Sequence, residues 1–235
     1  MVLQVKVVEG RGRVMAATDF LAPFSDEKDE LRSPRKRKAI LRAAAGVFLE
    51  KGYLGTSVDQ VANIAGVSKQ TVYKHFTDKE SLFSELVTTL VVAVADNVET
   101  EIRRLEFSGD IEQDLVKLAV CELSLVLTPP IIQLRRLAVG EVPRFPELAR
   151  AFYNNGPARA ILSLSSVFER LSKLNKITVD EPLVAAAHFN WLVMSEPLNR
   201  VLFLGDDAIP SAEDVRKIAE EGVRVFLAAY GRKSA

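Results

Sequence analysis

Five side chains between Lys69 and Lys74 have the types and spacing to act together: Lys69, Gln70, Thr71, Tyr73 and Lys74. All are cations or hydrogen-bond donors. Such a set suits an acceptor-rich polyanion, and duplex DNA is one, with phosphates outside and base-edge acceptors in the major groove. Lysine and glutamine match base edges, and a tyrosine hydroxyl matches a phosphate oxygen. Val72 and Phe76 interrupt the set, so one face of the segment turns to a core while the donors face outward.

The elements that must hold these donors are legible on either side. Ser68 is a helix N-cap for the donor segment. Upstream, Ser57 with Gln60 forms a capping-box pattern, and Val58, Val61, Ala62 and Ala65 recur at helical spacing. Gly66 can take the positive φ that a tight corner requires, and Val67 plugs the corner. The segment 57–76 therefore reads as a helix-turn-helix whose second helix enters the major groove. The alternative is an αα-hairpin that serves packing alone, in a helical small-molecule-binding or scaffold protein.

The run 35–86 resembles the DNA-binding domain of the tetracycline-repressor (TetR) family. The resemblance is carried by Phe48, Gly52-Tyr53, Thr56-Ser57, the alanine-rich helix and Gly66-Val67-Ser68-Lys69. It continues through Val72-Tyr73, His75-Phe76 and Lys79-Glu80-Ser81-Leu82. What it implies is a dimeric transcriptional regulator, most often a repressor, with Lys79 on a phosphate at the start of a long helix. Gln70 departs from the family pattern, which often has glycine or another small residue there; its longer amide suits an adenine edge. The expected DNA set is Lys69, Gln70 and Lys74 on bases, and Thr56, Ser68, Tyr73, His75 and Lys79 on phosphates. Thr71 fits either role.

Charge supports the same end of the chain. The formal net charge is zero, yet residues 33–79 hold nine basic side chains against three acidic ones. The remainder is correspondingly acidic, which suggests a module that meets a polyanion joined to one that does not. Ser33-Pro34 opens a helix expected over 33–51, with Ile40, Ala44, Val47 and Phe48 buried and Gly52 as its stop. This helix would offer Arg35 and Lys36, together with Arg37 and Lys38, to the DNA backbone.

Other function classes find little support. The chain has two histidines, one cysteine, no Gly-x-Ser-x-Gly elbow and no phosphate-cradling glycine loop. No catalytic residue, metal or cofactor is expected. Cys121 lies in an apolar helical pattern and reads as a core residue, and His188 as a hydrogen-bonded core histidine. No uncharged apolar run of about eighteen residues appears, and no basic start followed by an apolar stretch. A soluble cytoplasmic protein without a membrane partner is the expectation.

Three regions follow: 1–32 as a flexible arm, 33–78 as the helix-turn-helix domain, and 79–235 as a ligand-binding and dimerisation domain. In the arm, Met15 is a second candidate start, and Arg11 and Arg13 are candidate contacts to phosphates or the minor groove. Thr77 with Glu80 reads as a capping box for a helix over 79–105. Helices are then expected over 110–127, 130–139, 146–155, 158–174, 180–205 and 211–230, so the class is all-α.

The segment 144–150, Arg-Phe-Pro-Glu-Leu-Ala-Arg, resembles some TetR-family ligand-binding domains. That resemblance implies a helical bundle around a ligand cavity and a dimer made by the last two helices. Val215, Ile218, Ala219, Gly222, Val223 and Phe226 form an apolar stripe on the final helix, matched by Ala187, Trp191, Met194, Leu198 and Val201 before it. Both stripes are expected at a homodimer interface, with burial inside one chain as the alternative. A twofold dimer would read a palindromic operator. A small apolar effector would be lined by Leu125, Leu134, Phe152, Tyr153, Phe168, Phe189, Trp191 and Met194. Gln133 and His188 are the polar candidates, with Arg135, Glu141 and Asn190 beside them.

Overall fold

The structure is a computed structural model that describes residues 20–25, 32–104 and 109–232. Among these residues there are ten α-helices and no strand, in accord with the all-α expectation. They are α1 (Arg32–Gly55), α2 (Val58–Ile64), α3 (Lys69–His75), α4 (Lys79–Arg104) and α5 (Ile111–Val126). The others are α6 (Pro129–Gly140), α7 (Pro146–Asn155), α8 (Pro157–Lys173), α9 (Pro182–Leu204) and α10 (Ala212–Tyr230). An isolated antiparallel bridge joins Ile177 to Gly231. Arg11, Arg13 and Met15 lie outside the described residues.

Helix ends follow the local chemistry. Ser57, Ser68, Asp110 and Ser211 each accept a hydrogen bond from the backbone N–H three residues on, which satisfies an otherwise orphaned donor. Gly52 interrupts α1 with a φ of 69°, and Gly66 takes a φ of 66° at the corner after α2. The long helix α4 starts differently from the capping box read in the sequence. Asp78 Oδ1 accepts from Ser81 N at 2.7 Å, and Ser81 Oγ accepts from Asp78 N at 3.1 Å. The reciprocal pair is thus Asp78 with Ser81, one residue later than Thr77 with Glu80. The shorter serine closes the box that a glutamate was expected to close.

The chain divides into two compact units. The first holds the described residues up to Val94 together with 133–155. Its core is Ile40, Ala44, Phe48, Val61, Val72, Phe76, Leu82, Phe83, Leu86 and Leu90, all at most 3% exposed. By length and hydropathy α4 could cross a bilayer. Its apolar side chains in this unit are instead packed: Leu82, Phe83, Leu86, Val87, Leu90 and Val91 are buried. Residues 20–25, read as part of a flexible arm, are anchored in this unit. Phe20 and Phe24 are buried, and the Arg42 guanidinium donates to the Phe24 carbonyl. Two aromatic side chains removed from water explain the ordering.

The second unit takes in the described parts of 95–132 and 156–235. Here α5 and α9 pack on α10, and α8 packs on α9. Phe168, Phe189 and Phe226 form its aromatic centre, with ring centroids 5.1–5.3 Å apart. Arg159 of α8 ties back to Asp96 at 2.7 Å and Glu99 at 2.5 Å on the second part of α4. Of the expected stripe, Val215, Ala219, Gly222, Val223 and Phe226 are buried within the chain itself and Ile218 is partly buried. This corrects its assignment to an intersubunit face: the close approach that Gly222 permits is to Val193 of the same chain. On α9, Met194, Leu198 and Val201 are likewise buried.

Candidate nucleic-acid interface

The short helix α3 carries the candidate reading residues on a frame set by two buried side chains. Val72 is 2% exposed and Phe76 3%. With these turned inward, Ser68, Lys69, Gln70, Tyr73 and Lys74 are exposed, and Thr71 and His75 are partly so. The sequence-based partition of α3 into inner and outer faces is therefore reproduced residue by residue.

Several of the outward groups have partners that refine their roles. Lys69 Nζ donates to Asp59 Oδ2 at 2.7 Å, a bond from α3 back to α2 that also raises the Lys69 pKa. Thr71 Oγ1 lies 2.8 Å from Ser68 Oγ, inside the cap of its own helix. Both hydroxyls hold the first turn as well as facing outward. His75 has its pKa lowered, first by burial and then by Arg37, Lys74 and Lys36. At neutral pH it is a neutral imidazole with one N–H to offer.

Other candidates lie differently from the expectation. Thr56 is 4% exposed, and its hydroxyl donates to the Gly52 carbonyl at 2.8 Å. Its side chain shapes the turn after α1 and is not displayed outward. Arg35 is exposed and Lys36 partly so, as a backbone contact requires. Arg37, from the same basic run, turns inward: it pairs with Glu85 of α4 and its guanidinium lies 4.9 Å from the Phe76 ring centroid. A solvated basic run gives no local signal that one member braces α1 against α4. Lys79 Nζ lies 4.4 Å from the Tyr53 ring centroid, and its pKa is lowered by burial and then by Arg144.

The candidate effector residues fall in both units. In the first, Leu134 and Phe152 are buried and Gln133 is partly buried, but Tyr153 is 53% exposed. Arg135 stands over the Phe152 ring at 5.6 Å. In the second, Leu125, Phe168, Phe189 and Met194 are buried. Trp191 is 43% exposed, and His188 is exposed with Nδ1 2.6 Å from the Tyr230 hydroxyl. Tyr153, Trp191 and His188 are thus surface residues in this chain. Helical spacing marks an apolar helix but not which of its two flanks meets the neighbour. Sequence reasoning passed over Glu122, which is 2% exposed with Oε2 lacking a hydrogen-bond partner; burial pushes its carboxyl up to about 8. Cys121 is only partly buried, yet burial pushes its thiol up to about 12, which makes it unreactive. No group of three or more potential metal ligands occurs among the described residues.

Comparison with known proteins covers both units. Residues 40–86 match the family model described as bacterial regulatory proteins of the tetR family. Residues 113–232 match that of the AefR-like transcriptional repressor, C-terminal domain. A crystal structure from Mesorhizobium loti MAFF303099, described as a TetR-family transcriptional regulator, is 37% identical with a TM-score of 0.78; the match covers 86% of this chain and all of that one. The flavonoid-responsive regulator FrrA is 33% identical with a TM-score of 0.68, over 85% of this chain and 99% of its own. Among curated relatives, the HTH-type regulator YhgD of Bacillus subtilis is 46% identical over 56 residues, 24% of this chain and 29% of that protein. RutR of Escherichia coli is 46% identical over 48 residues, 20% of this chain and 23% of its own length. The chain thus spans under a third of these two curated relatives.

Proposed function

This chain belongs to the TetR family of helix-turn-helix transcriptional regulators, and we propose that it is a homodimeric repressor released from a palindromic operator by a small apolar effector. One observation carries the reading: α3 buries only Val72 and leaves Lys69, Gln70, Tyr73 and Lys74 outward behind a capped turn. Each subunit lays α3 in the major groove, with half-sites about 34–36 Å apart. Gln70, Lys74 and Lys69 read base edges, Lys69 by exchanging Asp59 for DNA. Ser68, Tyr73, His75, Lys79, Arg35 and Lys36 fix the register on phosphates, and Thr71 supports either role. Thr56 contributes by shaping the turn.

Residues 33–78 act as the DNA-binding part and 79–235 as the effector-binding and dimerisation part. The protein works in the cytoplasm, where its DNA is. The described C-terminal match to a transcriptional repressor favours repression. FrrA is flavonoid-responsive, which favours an aromatic effector, and the buried Phe168, Phe189, Leu125 and Met194 suit one. Effector binding shifts α4, and the reading helices lose the spacing the operator demands. The exposed apolar side chains Trp191, Phe203 and Leu204 of α9, with Val225 of α10, supply the subunit interface.

Fluorescence anisotropy with duplexes tiled across the DNA flanking the gene tests the proposal. Wild-type protein binds one palindromic tile tightly, and Tyr73→Ala with Lys79→Ala abolishes that binding. Equal weak binding to every tile would overturn the sequence-specific reading.

A further inference from the structure

We infer that Arg144, from the corner between α6 and α7, is a second phosphate-binding cation that acts beside Lys79 on the ring of Tyr53. The inference rests on the reading above that the start of α4 faces the DNA backbone. All the residues involved belong to the first compact unit. Lys79 Nζ lies 4.4 Å from the Tyr53 ring centroid and Arg144 Cζ 5.2 Å from it. One ring therefore gathers two cations that are far apart in sequence, one from the end of the helix-turn-helix and one from well outside it.

The ring is held in place. Tyr53 packs on Phe83 with centroids 5.0 Å apart and meets Phe145 edge-on at 4.7 Å. Phe83 is 0% exposed and Phe145 7%. Because Arg144 directly precedes Phe145, the buried aromatic fixes where its neighbour's backbone lies. The guanidinium itself stays accessible, with 44% of the side chain exposed.

The donors of both cations are largely unused. Arg144 makes one long ion pair, Nε to Glu141 Oε2 at 3.8 Å, which leaves its terminal N–H groups without a protein acceptor among the described residues. Lys79 Nζ has no ion pair or hydrogen bond among them; its partner is the ring. Glu80 and Asp78 also face Tyr53 electrostatically. The Asp78 carboxylate is engaged by the Ser81 N–H in the helix cap. Burial first and then the nearby Arg144 charge lower the Lys79 pKa, against a smaller opposing effect of Glu141, so the two cations lie close enough to repel. An anion placed against both relieves that repulsion. A phosphate matches the planar fork of arginine beside the point charge of lysine.

Counterion release gives a test that a merely structural arginine would not pass. The full-length chain, as wild type, Arg144→Gln and Arg144→Lys, is titrated with a labelled mixed-sequence duplex over a series of salt concentrations. Each lost phosphate contact flattens the slope of log K against log salt by about 0.9. Arg144→Gln is expected to lose that much per subunit, and Arg144→Lys to keep the wild-type slope with weaker binding. A wild-type slope in Arg144→Gln overturns the inference, whatever its effect on affinity, while leaving the regulator reading intact. Loss of slope in both variants also overturns it, since charge alone should rescue the contact. Failure of the wild-type protein to bind any duplex would overturn the regulator reading, and this inference with it. Circular dichroism of each variant establishes that the slopes compare folded proteins.

Discussion

Lys69 of the reading helix is bonded at 2.7 Å to Asp59 of the helix before it. In the free protein, the first cation expected at the DNA is held by a carboxylate of its own scaffold. Both side chains are well exposed, at 50% for Lys69 and 66% for Asp59. The pair is therefore a weak clamp that solvent and salt screen, and its stabilising effect is small. Its larger consequence is for the proposed binding, in which DNA has to displace Asp59 and tolerate a nearby negative charge.

Replacing Asp59 by Asn removes that competitor. We expect Asp59→Asn to bind mixed-sequence duplex about threefold more tightly at low salt, with little change in melting temperature. The check is anisotropy at two salt concentrations. Equal affinity of variant and wild type at low salt would mean that Asp59 does not compete with DNA for Lys69.

Gly222 gives a sharper stability prediction. A Cβ at this position would lie 2.6 Å from Val193 Cγ1, closer than side chains approach, and 3.5 Å from the Leu192 carbonyl. Val193 is 0% exposed and β-branched, so it has little room to turn away. Alanine improves intrinsic helix propensity by about 1 kcal/mol, but overpacking costs about 1–3 kcal/mol. Gly222→Ala should therefore lower stability by roughly 1 kcal/mol in urea denaturation. A variant as stable as wild type would show that α9 and α10 can separate slightly without penalty.

The same glycine shows where the sequence was readable and where it was not. Its stripe, with Val215, Ala219, Val223 and Phe226, was evident from periodicity, because 3.6-residue spacing records that a helix has one buried face. What covers that face is not written in the spacing. A neighbouring helix of the same chain and a second subunit both select small and apolar residues. The reading helix was more legible because short-range chemistry specifies it: a cap at Ser68, a positive-φ glycine at Gly66, and two inward residues fix the rest. By contrast, the anchoring of Phe20 and Phe24, the Arg37–Glu85 brace and the cations on Tyr53 join residues from distant parts of the chain. No local pattern encodes those pairings.

With the central stripe buried, the proposed dimer must use what remains outside. Phe203 is 83% exposed and Leu204 69% at the end of α9. A charge placed among side chains that come together on assembly is costly to desolvate unless it finds a partner. Phe203→Glu is expected to shift the protein from dimer to monomer in sedimentation velocity at micromolar concentration, and to abolish operator binding. Its melting temperature should fall only by what subunit association contributes, and its helical content should stay at the wild-type level, since the exposed side chain contributes little to the fold of one chain. A variant that remains dimeric would move the interface away from this end of α9.

Glu122 links burial to pH. It is 2% exposed on α5, its Oε2 has no hydrogen-bond partner, and desolvation raises its carboxyl from 4.5 to about 8. Between those two values the unfolded chain ionises at this residue while the folded chain keeps the proton. The folded state then binds more protons, so this residue lowers stability as pH rises through that window. Below 4.5 both states are protonated and the penalty vanishes; above about 8 both are ionised and it reaches its full size. Glutamine keeps the shape and stays neutral in both states. Glu122→Gln should therefore raise the melting temperature, by little near pH 5 and by progressively more towards pH 8. Melting curves of the two proteins across that range provide the measurement, since titrations elsewhere cancel in the difference. A difference independent of pH would mean that Glu122 ionises in the folded protein as readily as in the unfolded one, and finds a counter-charge or water there.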